Sequence, residues 1–316
     1  MKTRAVTEGA MTAVIIVLLS LLNFTFGFFS FLIPVPLAVI VFRHNLRTGM
    51  LVSFASAAVA SLVFVTPLIG LDILIVGFMG IVLGLVVKEN FSFTRIFLIG
   101  VGAAALSLIL RLTALALIAD YNLIADFTQL WNNMSEQMLS MWQHMEMSPD
   151  LLAQYKEVFT SMPSLFAMLI PIYILVSSLL ETILCLLVLN IVMKRFGVAM
   201  PKFSPFIHWK LPWYFVWGYI ISKALTIVHA YFPNQVFQAV VVNIDIFFSG
   251  AFFIQGLAIL WFYLTQAEIR KSFRILITIF LLLTGNVLIY NILVMLGVLD
   301  TWFDVRKLNR VDKEAK

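Results

Sequence analysis

Apolar runs of about 18 residues or more, each long enough to cross a bilayer, recur along this chain and restrict its fold more than any other feature. In hydrocarbon every backbone polar group must find a partner within the protein, so such runs fold as helices. Composition agrees. The 316 residues are 62% hydrophobic and 12% charged, against about 45–50% and 25% in soluble domains. The sequence therefore reads as an all-α integral membrane protein with about nine transmembrane helices. The expected spans are 9–28, 30–42, 48–65, 68–87, 96–119, 164–193, 212–231, 236–264 and 275–299. The second is short and holds Pro34 and Pro36, which points to a tilted, partly unwound or re-entrant segment.

Basic residues set the orientation. Lys2 and Arg4, Arg43 and Arg47, Lys88 and Arg95, Lys194 through Lys210, and Arg270 through Arg274 lie in alternate connections. If every span crosses, these share one face, which is then cytoplasmic and carries the N-terminus. Nine crossings put the polar tail, 300–316, on the other side with Arg306, Lys307 and Arg310. The same placement explains the net charge of +5 through lipid headgroups rather than nucleic acid. The single cysteine, Cys185, excludes an internal disulfide and a cysteine metal cluster.

Segment 120–163 is polar and acidic, yet Met134, Met138, Met141 and Met145 recur at helical spacing beside Trp142. It reads as an extracytoplasmic amphipathic helix, followed by a second short helix over 150–160. The methionine spacing, with His144 nearby, also fits a thioether ladder for Cu(I). The proline-rich, aromatic loop after span six divides a six-helix bundle, 1–195, from a three-helix unit, 209–299.

Charges inside the apolar runs are the candidate functional residues, because an ion near the bilayer centre costs about 2.5–3.5 kcal/mol or more. Arg111 lies 15 residues past Ile96 and Glu181 lies 12 before Met193. At 1.5 Å per residue they sit about 22 and 18 Å from the same face. They are expected to pair across two consecutive antiparallel helices. Lys223 and Asp245 repeat the pattern in spans seven and eight, 8 and 9 residues from the outer ends. Such pairs serve as clamps between helices, as anchors of an outward-opening solute pocket, or in proton or ion coupling. Asn23, Thr25, Asp72, Asn243, Gln255, Asn286 and Asn291 are further candidate lining residues. Gly9 and Ala13 form a small-residue step on the first span, suited to close helix approach within the bundle or to a partner subunit. No HExxH, GxSxG or phosphate-cradling glycine loop occurs, so no enzyme, cofactor or metal site is expected.

Three stretches carry a resemblance: TEGAMTAVIIVLLSLL, FLIPVPLAVIVFRHNLRTGMLVSF and IVGFMGIVLGLVVKEN, with GVLDTWFDVRKLNR at the close. They resemble the YybS-like family of bacterial multi-pass membrane proteins. The first six spans are more loosely similar to the substrate-binding subunits of energy-coupling-factor transporters. That resemblance implies a small polar solute held in an outward pocket, with Gly9 and Ala13 facing a coupling subunit. The family resemblance further implies a membrane-protein partner, such as a membrane-bound cyclic-dinucleotide phosphodiesterase. A scaffold that regulates such a partner and moves no solute is the rival expectation.

Overall fold

The computed structural model describes residues 3–145, 147–201 and 204–307, and the described residues are helices joined by turns. The chain divides into two compact units, Met1–Lys202 and Phe203–Lys316.

In the first unit α1 (Thr3–Phe26) is followed by a 3-10 turn and the short α2 (Pro34–Arg43). Ten residues of helix rise about 15 Å, half a hydrocarbon core. The chain nevertheless returns to the level at which α1 began. Arg43 Nη2 and His44 Nε2 each lie 2.9 Å from the Glu8 carboxylate. The non-helical stretch before Pro34 supplies the missing length. Then come α3 (Leu46–Val63), α4 (Pro67–Lys88) and α5 (Phe93–Ile118). Lys88, ending α4, donates to the His44 carbonyl at 2.7 Å. The Arg43 guanidinium stacks over Phe196 at 4.8 Å. One basic face thus gathers the start of α1 and the ends of α2, α4 and the long α7 (Pro149–Arg195).

Small residues bring the helices together. A Cβ on Gly80 would collide with the Pro34 carbonyl, and one on Gly84 would meet Ala38 and Val41, so α2 lies directly on α4. Gly9 is buried against Val52 of α3, and Ala13 is half-buried in the same cluster.

One expectation changes in segment 120–163. Helix α6 (Leu123–His144) forms as read, but the expected second short helix is not separate. It is the beginning of the 47-residue α7, which passes through Pro163 and Pro171. A proline within a helix removes one N–H donor and orphans the carbonyl four residues before it. For Pro163 that carbonyl belongs to Phe159, and Trp131 Nε1 of α6 donates to it at 2.8 Å. Trp131, Trp142 and Phe127 of α6 pack on Phe159, Tyr155 and Phe166 of α7, which zips the two together. Met134, Met141 and Met145 remain exposed, and His144 Nδ1 is engaged by the Ser140 carbonyl at 2.6 Å.

The second unit holds α8 (Phe215–Tyr231), α9 (Gln235–Gln266), α10 (Lys271–Leu283) and α11 (Val287–Phe303). The expected span 275–299 is not one helix. It breaks at Gly285, whose φ is +56°, and at Asn286, whose side chain accepts from Leu288 N and Ile289 N. Helices α10 and α11 therefore meet at 118°. Among the described residues six helices are long and apolar enough to cross a membrane, or seven if the bent pair counts as one span. The nine-span count is not reached by that measure, because α2 and α8 are short and the last span is broken.

Asp300, Thr301 and Arg306, expected in or beside the polar tail, are buried in the second unit. Asp300 and Arg306 are fully buried and paired at 2.7 Å. Arg306 also donates to the carbonyls of Ile207 at 2.6 Å and Trp209 at 2.7 Å. Gln255 of α9 donates to Asp300 and Thr301 and accepts from Leu211 N. Lys210 and Asp304 pair beside it at 2.8 Å. Every charge is matched, so the network clasps the 206–211 segment to the end of α11. Arg310 lies outside the described residues.

Candidate functional site

Arg111 projects from α5, seven residues before its end, and Asp72 from α4, five residues after its start. The helices run antiparallel, so both side chains lie about 7–10 Å in from the face opposite the basic one. Ser107, one turn before Arg111, donates to the Ile75 carbonyl of α4 at 2.9 Å. That bond fixes the register in which Arg111 Nε meets Asp72 Oδ1, at 2.6 Å. The expected partner, Glu181 of α7, forms no ion pair among the described residues. It stands within electrostatic reach of both Arg111 and Asp72, beside the Ser30 hydroxyl. Depth alone allowed either carboxylate; the Ser107 bond turns α5 so that its guanidinium faces α4.

The Asp72–Arg111 pair lines a cleft of about 210 Å3 between α1, α4 and α5. Ser20, Asn23 and Phe24 of α1 form one wall, and Leu68, Ile75 and Leu115 are among its apolar residues. Ser20 spends its hydroxyl on the Ile16 carbonyl at 2.9 Å. Asn23 Oδ1 is buried and has no hydrogen-bond partner among the described residues. The cleft is smaller than the roughly 300–1,000 Å3 of drug-sized sites and suits a small solute.

The second unit has its own intramembrane pair. Lys223 of α8 and Asp245 of α9 lie 2.7 Å apart. Ser222 donates to Asp245 at 3.0 Å, and the Lys223 ammonium reaches Ser249 at 3.3 Å and the face of Tyr219 at 5.1 Å.

A family model described as a predicted membrane protein, DUF2232, matches residues 10–301. The chain belongs to the DUF2232 family. No curated protein and no solved structure matches it. Within the stretch that the DUF2232 model covers lie Asp72, Arg111, Glu181, Lys223, Asp245 and Asp300, whereas Arg306 lies beyond its end.

Among the remaining polar candidates Asn291 is exposed on α11, and the others serve structure. Thr25 bonds back to the Leu21 carbonyl, Asn243 donates to the Ala239 carbonyl, Gln255 belongs to the clasp and Asn286 caps α11. The Glu8–Arg43–His44 cluster was missed in the sequence. Its signal was a carboxylate just before the first expected span, facing basic residues across a hairpin. No group of three or more potential histidine, cysteine, aspartate or glutamate metal ligands occurs among the described residues.

Proposed function

We propose that the first unit sits in a bacterial cell membrane with its basic face in the cytoplasm and holds a small polar solute in the Asp72–Arg111 cleft. In this reading the cleft opens outward, and the protein binds its solute as a transporter's substrate subunit does, without catalysis or cofactor. One observation carries the reading: an ion pair within apolar helices, Asp72–Arg111, lines an open cleft. A pair acting only as a helix clamp gains by being packed shut. This one borders free space. The concentration of Arg43, Lys88 and Arg195 at the opposite face supports the orientation.

Native mass spectrometry of the purified protein tests this. A small molecule is expected on the wild type and absent from a folded Arg111→Met/Asp72→Leu double variant. An identical spectrum from both contradicts the reading.

The rival, a scaffold for a membrane partner, draws on the second unit. The side chains of Lys223 and Asp245 are 45% and 29% exposed, although they lie eight residues or more from the ends of apolar helices. A partner helix covering that pair would remove two charges from lipid. By resemblance, a coupling subunit or a membrane-bound cyclic-dinucleotide phosphodiesterase would be such a partner. Gly9 and Ala13, the coupling face by resemblance, are occupied by packing against α3 and its cluster.

A further inference from the structure

We infer that α10 and α11 form a re-entrant hairpin, which enters the membrane and leaves it through the same face, so that α11 ends on the cytoplasmic side. The inference concerns the second unit alone and does not depend on the solute-binding reading.

Length comes first. The 13 residues of α10 rise about 20 Å and the 17 of α11 about 25 Å, each short of a hydrocarbon core of about 30 Å. A broken span would carry both helices onward in one general direction, and together they would cross. The chain instead changes direction by 118° at the break. A turn of more than a right angle sends α11 back toward the side from which α10 came.

Contacts with α9 trace both legs. Backward from the end of α9, Thr265 meets Arg274, and Trp261 Nε1 donates to Thr278 at 2.6 Å, so α10 runs antiparallel to α9. Forward along α9, Phe253 stacks on Tyr290 with ring centroids 5.0 Å apart, Gln255 donates to Asp300 and Thr301, and the Tyr263 hydroxyl reaches the Val305 carbonyl at 3.4 Å. Helix α11 therefore runs parallel to α9, and the two end at one face. Glycines let them cross closely: a Cβ on Gly256 would strike the Leu293 carbonyl, and one on Gly297 the Phe252 carbonyl. The turn at 284–286 satisfies part of its own polar groups. The Thr284 hydroxyl donates to the Leu281 carbonyl at 3.0 Å, and Asn286 Oδ1 accepts from Leu288 N at 2.9 Å and Ile289 N at 3.3 Å. Such bonds lower the cost of ending a helix at membrane depth.

Charge identifies the face. Lys210, Arg270, Lys271, Arg274, Arg306 and Lys307 gather at this end of the second unit, whereas the 232–234 connection at the other end of α8 and α9 has no basic residue. Nine crossings would put Arg306 and Lys307 outside, against that bias. A re-entrant hairpin removes the exception.

Single cysteines in the full chain, treated in intact bacteria with a membrane-impermeant maleimide, test the side. The native Cys185 is fully buried and leaves the background low. Gln235→Cys marks the start of α9, Ala267→Cys the residue after its end, and Lys316→Cys the last residue of the chain. Gln235→Cys is expected to label at least tenfold more than the other two, which rise together once the membrane is opened. Labelling of Lys316→Cys alongside Gln235→Cys, or of Ala267→Cys from outside, overturns the inference.

Depth is read separately, with a bimane fluorophore on Thr284→Cys in vesicles that contain nitroxide lipids. Strongest quenching by lipids labelled midway along the acyl chain is expected. Strongest quenching by headgroup-labelled lipids would put the turn at a membrane surface and overturn the re-entrant hairpin, whichever side the last residue occupies.

Discussion

Arg111 shows how far a residue can be placed from sequence. Its depth and its need for a carboxylate were both readable, and two carboxylates met the depth condition. Asp72, close to its helix end, looked like a lining residue; Glu181, deep in an apolar run, looked like the obligatory partner. The choice between them depends on rotation of α5 about its axis, which the buried Ser107–Ile75 bond sets and apolar periodicity does not report. Replacing Arg111 by alanine leaves Asp72 and Glu181 without a cation and is expected to lower the unfolding temperature markedly. Breaking such a pair costs about 3–5 kcal/mol when buried and less at this partly open site. The Arg111→Met/Asp72→Leu double variant is expected to recover most of the loss in the same melting experiment. Arg306 was invisible for a different reason: it sits after the last apolar run, where polar sequence reads as tail. Four of its guanidinium hydrogen bonds reach Asp300, Ile207 and Trp209, a planar fork that an ammonium does not reproduce. Arg306→Lys is therefore expected to destabilise the second unit by several kcal/mol, measured by denaturant titration of tryptophan fluorescence, whereas Lys307→Ala should change little.

Among the elements, long uninterrupted helices were the most legible. Helices α3, α4 and α5 begin and end within about three residues of the expected spans, and α1 begins six residues earlier than expected, because apolar length and flanking charge act on each independently. The failures lie where a turn residue competes with hydrophobicity. The helix over 150–160 was read as separate, yet the Phe159 carbonyl that Pro163 orphans is recovered by Trp131, so α7 continues. Gly285 and Asn286 were read as interior residues of a span, yet positive φ and a side-chain cap end one helix and start another. Trp131→Phe keeps the ring and deletes only the donor. The expected cost is about 1 kcal/mol, seen as faster limited proteolysis near the turn between α6 and α7, with the remainder of the chain unaffected. Unchanged cleavage would mean that ring stacking alone holds α6.

At the scale of the molecule, the chain is a membrane-family protein of two helical units, each held by its own polar connection, part-exposed in the first and buried in the second. Glu8, Arg43, His44 and Lys88 tie together the basic face of the first unit. The Asp300–Arg306 clasp ties the ends of the second. That the first unit has a charged cleft at one end and a basic face at the other is the geometric basis of the functional proposal, and side-specific thiol labelling in intact cells tests it most directly. Ala114→Cys in the cleft and Glu89→Cys at the end of α4 are each treated with a membrane-impermeant maleimide. Labelling of the first from outside, with the second labelled only after the membrane is opened, is the expected result. Protection of Ala114→Cys in intact cells together with labelling of Glu89→Cys would contradict an outward-facing solute cleft.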